Sequence, residues 1–245
     1  MTQRCLLVAL SVVLVTGVWA TSVHAEPVGQ VVVLHGLGRT AGSMSRLADR
    51  LADAGYDVHN LDYPSTEATV DQLLTLLDAK IAECCLNTET PLHFVTHSLG
   101  GILVRAYLAE HRPEHLGRTV MLSPPNHGSE LIDTLRQSPL FRWALGPVGS
   151  ALGTDANSLP KRLGAADFDL GIITGSRSLN PLASWMVTGS DDGKVSVDSA
   201  QLTGMAAFLV VPHSHTFIMD SRHVAEEVLH FLEHGAFSEQ TAEPQ

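Results

Sequence analysis

The stretch Leu92-His93-Phe94-Val95-Thr96-His97-Ser98-Leu99-Gly100-Gly101-Ile102 passes from a strand-like apolar run to an amphipathic one across a single serine. Leu92 to Thr96 predicts a buried strand. Leu99, Ile102, Leu103, Ala106 and Tyr107 recur at helical spacing and predict a helix that stops before Pro113. A serine on so sharp a strand-to-helix turn projects its hydroxyl clear of the sheet, and the N-terminus of the following helix favours a developing anion. Strand and helix backbones crowd there, so small residues are needed two places before and two places after the serine. Gly100 meets that need, whereas Thr96 stands where glycine is usual.

The same alternation extends outward in both directions. Upstream, Val31 to Leu34 is a continuous apolar run, Met44, Leu47, Ala48 and Leu51 predict a helix closed by Gly55, and Tyr56 to Leu61 predicts the next strand. Val70, Leu73, Leu74, Leu77, Ile81 and Cys84 form a second amphipathic set. Downstream, Thr119 to Leu122, Phe168 to Thr174 and Ala207 to Val211 predict strands, and Val224, Val228, Phe231 and Leu232 a closing helix. Strands alternating with helices predict an α/β fold, a mostly parallel central sheet with helices on both faces. Residues 126–166 are rich in Pro, Gly and Ser, with a short helix expected around Leu131 to Leu135. So long a stretch between two strands is expected to be a cap insertion. With 245 residues, 44% hydrophobic and 17% charged, the chain suits one domain over 26–237, followed by a polar tail at 238–245.

Arg4 precedes the apolar run Cys5 to Val15, and Val23 and Ala25 stand at −3 and −1 of a cut before Glu26. That pattern predicts a signal peptide over residues 1–25 and export to the periplasm or beyond, with an uncleaved N-terminal anchor as the alternative. Removing Arg4 leaves 14 basic against 26 acidic residues, a net charge near −12. Such a surface argues against nucleic acid and against stable association with anionic membranes. Cys84 and Cys85 are adjacent, with Cα atoms about 3.8 Å apart, too close for ordinary disulfide geometry, and are expected to pack on a helix. No cofactor and no metal are implied.

A nucleophilic serine needs a base, and the base an orienting carboxylate, in the chain order Ser, Asp, His for this turn. Asp191 and Asp192 follow the strand ending near Thr174, and His213 and His215 follow the strand Ala207 to Val211; both choices are open on position alone. Asp155, Asp167 and Asp169 precede the strand whose far end should carry the acid. Competing patterns are present. Gly36-Leu37-Gly38 with Asp62 imitates a dinucleotide fingerprint and would imply a nicotinamide-dependent oxidoreductase, although Gly42 breaks its spacing. His111-Arg112-Pro113-Glu114-His115 matches a metalloprotease string, but Pro113 breaks the helix it requires. A non-catalytic ligand binder would not need serine, acid and histidine in order.

On these residues the chain resembles the bacterial lipase and esterase branch of the α/β-hydrolase superfamily, from Val31 to about Phe231. The resemblance carries on the His-Ser-x-Gly elbow and on His35-Gly36-Leu37-Gly38 at the end of the first strand. It implies a serine hydrolase acting on a small-molecule or lipid ester, with backbone N–H groups of Leu37 and Leu99 as the oxyanion hole. An acyltransferase on the same residues is the alternative. Asp192-Gly193-Lys194-Val195 matches the family's Asp-Gly-x-Val and selects Asp192 as the acid. The family's placement of the base just before the last helix selects His215. Pro125-Asn126-His127-Gly128-Ser129 resembles a segment shared with GPI inositol-deacylases. That resemblance places His127 beside the substrate or bracing its loop, while His35 and His97 flank the oxyanion hole and elbow as candidate substrate-binding or hydrogen-bonding residues.

Overall fold

The computed structural model describes residues 27–85 and 89–238. The expected signal peptide, residues 1–25, and the tail beyond Ser238 lie outside the described residues. The six expected strands form β1 (Gln30–Leu34), β2 (Asp57–Leu61), β3 (Leu92–His97), β4 (Leu116–Leu122), β5 (Leu170–Gly175) and β6 (Ala207–Val211). They pair in the order β2-β1-β3-β4-β5-β6, every pair parallel.

Alternate side chains along each strand serve two separate cores. Val32, Leu34, Phe94, Met121 and Ile172 face α2 (Val70–Cys84) and α3 (Leu99–Glu110), where Leu73, Leu77, Ile102 and Leu103 receive them. Val31, Val33, Val95, Val120 and Ile173 face the opposite layer, formed by Leu47 and Leu51 of α1 (Ser45–Asp53) and by the final helix. Two-sided burial is why Val31 to Leu34 reads as an unbroken apolar run rather than as an alternating one.

Between β4 and β5 the chain builds α4 (Glu130–Leu135), α5 (Pro139–Ser150) and α6 (Leu159–Arg162). Only α4 was expected; Gly146, Pro147 and Gly149 interrupt the helical pattern of α5. Gly146 bends α5 with φ 67°, and a Cβ there would lie 1.8 Å from Thr66 O, so this helix folds down onto the loop after β2. Buried Arg105 ties α6 to α3 by donating to Pro160 O, and donates also to Asn126 Oδ1 and Gly164 O in the flanking loops; burial lowers its pKa to about 10. After β5 come α7 (Pro181–Ser184) and α8 (Val197–Ala200), and after β6 comes α9 (Arg222–His234), whose end is closed by left-handed Gly235. Cys84 ends α2, while Cys85 lies beyond it as its cap, so the two cysteines do not share the helix as expected. Residues 111–115 likewise lie outside α3.

Buried His93 on β3 accepts from Arg118 N at Nδ1 (2.9 Å). Burial is the main cause lowering its pKa to about 4, with the Arg118 guanidinium adding to it and the backbone bond opposing it. Unfolded, the imidazole titrates near 6.5, so between those values the unfolded chain binds more protons and stability rises with pH. His97 acts in the same direction, held well below its usual value mainly by burial. Lowering the pH from 7.5 to 5 is therefore expected to cost on the order of 2 kcal/mol through His93 alone, read as a fall in the urea midpoint. His93→Gln should make that pH dependence shallower; an unchanged slope would remove the assignment.

Candidate active site

The C-terminal ends of β1, β3, β4, β5 and β6 deliver their loops to one edge of the sheet, where ligand sites of parallel sheets form. Ser98 stands at the β3–α3 turn with φ 53° and ψ −117°, a conformation L-residues rarely adopt. Backbone bonds hold it there: Ser98 N donates to Leu122 O (2.9 Å), and Gly101 N to Ser98 O (3.0 Å). A Cβ at Gly100 would lie 2.7 Å from Leu34 O, which is why glycine is required two places after the serine. Thr96, two places before it, packs beside Gly101, where a Cβ would come 3.1 Å from Pro124, 3.2 Å from Met121 and 3.3 Å from Thr96 Oγ1.

The loop after β5 returns Asp192 beneath the loop after β6. His215 Nδ1 lies 2.8 Å from Asp192 Oδ2, with the carboxylate 1% and the imidazole residue 3% exposed. Asp192 Oδ1 accepts from Lys194 N (3.0 Å) and Val195 N (2.9 Å), and His215 N donates to Asp192 O (2.9 Å). Burial pushes the Asp192 carboxyl up, but the imidazole, the Ser123 hydroxyl and Val195 N–H outweigh it and hold it below the usual carboxylate range. Asp191 is engaged elsewhere, its Oδ1 accepting from Ser184 Oγ (2.8 Å) and Gly193 N (2.6 Å).

Ser98 and His215 line one cavity of about 220 Å³, walled by Leu37, Leu131, Ile132, Leu135, Leu145, Leu152 and Val195. A second cavity, of about 390 Å³, adjoins it through His215, Lys194, Leu131 and Leu135 and extends to Phe141, Leu182 and Met186. Leu37 lines the cavity with Ser98, and Leu99 directly follows the serine as the first residue of α3. Among the described residues neither backbone N–H takes part in a loop or cap hydrogen bond, whereas the intervening amides of Gly38 and Arg39 do, and Leu99 opens α3, where a helix has no acceptor of its own to offer. One such donor on the β1 loop and one at the start of α3 suit an oxygen that gains negative charge.

The three further histidines fall differently. His97 lines the cavity, and its Nε2–H donates to His215 O (3.0 Å), so it steadies the histidine loop. His35 does not reach the cavity. It is fully buried, stacks on Tyr63 with centroids 4.0 Å apart, takes Tyr63 N at Nε2 and donates from Nδ1 to Gly36 O. Through these contacts His35 braces the loop after β2. His127 is exposed on a separate depression with Glu130, Ser196 and Ser199, 3.4 Å from Lys161 Nζ. The Gly36–Gly38 turn has its own explanation, since a Cβ on Gly36 would press to 2.8 Å from His97 Nδ1; glycine there serves the elbow rather than a pyrophosphate.

Ser123, at the end of β4 with φ 47°, was not singled out in the sequence. Its hydroxyl reaches Asp192 and accepts from Gly175 N. A serine directly following an apolar strand, in Leu122-Ser123-Pro124-Pro125, was the available signal.

Residues 25–163 match the family described as serine aminopeptidase, S33 (Hydrolase_4). That match spans the β1 loop and the elbow and ends before Asp192 and His215. No curated protein matches the chain. Among solved structures, the chain is similar to phospholipase PlaB from Legionella pneumophila, with TM-score 0.67 and 18% identity over 85% of this chain. It spans 60% of PlaB. It is also similar to mature Bacillus licheniformis lipase BlEst2 (TM-score 0.63, 20% identity, 80% of this chain and 89% of that one). A third similarity is to the esterase EaEST from Exiguobacterium antarcticum (TM-score 0.57, 16% identity, 85% and 93%). At these identities the likeness is one of fold.

Proposed function

The chain belongs to the serine aminopeptidase S33 family of α/β hydrolases, and from that premise we propose that it cleaves carboxylic esters through Ser98, His215 and Asp192 by way of an acyl-enzyme. The observation that carries this reading is the 2.8 Å contact of buried Asp192 with His215 at the wall of the cavity that also holds Ser98. The imidazole takes the Ser98 Oγ proton as that oxygen attacks the ester carbonyl. Leu37 N–H and Leu99 N–H receive the oxyanion, each fixed donor of this kind being worth roughly 3–4 kcal/mol in the transition state. His215 then passes its proton to the departing alcohol, and a water repeats the sequence to release the acid.

Esters are favoured over peptides by the charge of the cleft. An aminopeptidase must hold a substrate ammonium, yet among the described residues no acid lines the cavity beside Ser98, which instead carries Arg39, Lys194 and aliphatic side chains. We place the mature protein outside the cytoplasm, with residues 1–25 removed as a signal; the apolar run after Arg4 supports this.

A p-nitrophenyl ester series from acetate to palmitate tests the reading, with amino-acid p-nitroanilides as the comparison. Efficiency is expected to rise with each early methylene, about 0.8 kcal/mol apiece while the pocket can bury it, and then to level off or fall. Turnover of the anilides without the esters would overturn it. A second reading, action on aggregated lipid, is favoured by Leu140, Phe141, Trp143, Leu179, Leu182, Trp185 and Phe217, exposed large apolar residues on α5, on and around α7 and after His215. Under that reading efficiency instead climbs steadily to palmitate and jumps above the substrate's solubility limit.

A further inference from the structure

Arg39 and Lys194 both line the cavity that holds Ser98, although the chain as a whole is strongly acidic. Arg39 follows the β1 loop, and its Nη2 donates to Thr216 O (3.1 Å), beside His215. Lys194 follows Asp192 in the acid loop and borders both cavities. Lys194 is exposed at the cavity rim, and its ammonium is lowered from the usual value by partial desolvation and then by the Arg39 charge, with Asp192 opposing them. Like charges brought together at a cleft are unfavourable unless an anion joins them.

The nearby carboxylates are engaged in other contacts. Asp192 already accepts from Lys194 N, Val195 N and His215, Asp191 from Ser184 and Gly193, and Asp62 from Ala41 N beside His35. Among the described residues neither Arg39 nor Lys194 forms an ion pair. We propose that Arg39 and Lys194 form an anion subsite at the cleft beside Ser98, so that the ester taken by this protein carries a carboxylate or phosphate group. This rests on the ester-hydrolase reading of the same cleft, and it gives the two cations a purpose that packing does not. A planar guanidinium offers paired donors to either anion, and an ammonium adds a point charge.

The test compares matched esters in the wild type and in the double variant Arg39→Gln/Lys194→Met. Mono(4-nitrophenyl) succinate against 4-nitrophenyl butyrate places a carboxylate on the acyl side, and 4-acetoxybenzoate against phenyl acetate places one on the alcohol side. Butyl phosphate against butanol, measured by titration calorimetry, reads the subsite without turnover and brings in phosphate. In the wild type one anionic ester should exceed its neutral partner in kcat/KM, and butyl phosphate should bind where butanol does not. The double variant should lower that ester ratio about tenfold and lose butyl phosphate binding, since charge-assisted hydrogen bonds are typically worth this much or more. The wild-type preference should also shrink in 1 M salt.

Equal ratios and equal butyl phosphate binding in the two proteins would overturn the subsite. Turnover of neutral esters with no anion preference and no butyl phosphate binding would overturn it while leaving the ester reading intact. Butyl phosphate binding lost in the variant, with no ester hydrolysed by the wild type, would support the subsite and remove the ester reading.

Discussion

Ser98→Ala is expected to lower ester turnover by on the order of 10⁶-fold, the scale seen when the nucleophile of a serine, histidine and aspartate unit is removed. The chain should still fold. The elbow is held by main-chain bonds from Ser98 N to Leu122 O and from Gly101 N to Ser98 O, and alanine keeps both. Its strain at φ 53° is imposed by the β3–α3 junction rather than by the hydroxyl, so the thermal midpoint should move by no more than a few degrees. Loss of turnover together with loss of the folded state would leave the serine a structural role only; retained turnover would remove it from the chemistry.

Asp192→Asn is expected to lower turnover by on the order of 10⁴. Asp192 Oδ1 accepts from two backbone N–H groups, those of Lys194 and Val195. The asparagine oxygen must stay on that side, which turns the NH₂ group toward His215 Nδ1. A donor there forces the imidazole to carry its proton on Nε2, and that tautomer cannot accept the serine proton. Asp191→Asn should have little effect, because Asp191 contacts Ser184 and Gly193 instead. His213→Ala should likewise be mild where His215→Ala is severe. Steady-state kinetics on all four variants decides the assignments, and the reverse ranking within either pair would move that role by one or two residues.

Much of this architecture is legible in the sequence because parallel strands buried on both faces read largely as apolar runs. Val31 to Leu34 and Leu92 to Thr96 are read directly, and their boundaries differ from the observed strands by a residue or so. The region over the cleft is harder. In α5, Pro139, Gly146, Pro147 and Gly149 erase the helical pattern, and what bends the helix, the approach of Gly146 to Thr66, is a contact between residues far apart in sequence. The histidines illustrate the same limit. Position in the chain puts His35 and His127 near the elbow, but the direction of each side chain depends on Tyr63 stacking over one and on Lys161 and Ser199 beside the other.

Labelling with a fluorophosphonate, followed by peptide mass mapping, tests the central claim most directly, because the reagent adds covalently only to a serine activated by a base and an oxyanion hole. The account predicts one adduct, on Ser98, formed in the wild type, absent in Ser98→Ala and strongly slowed in His215→Ala. No adduct on the folded protein, or an adduct on Ser123, Ser129 or Ser214 that persists in Ser98→Ala, would contradict it.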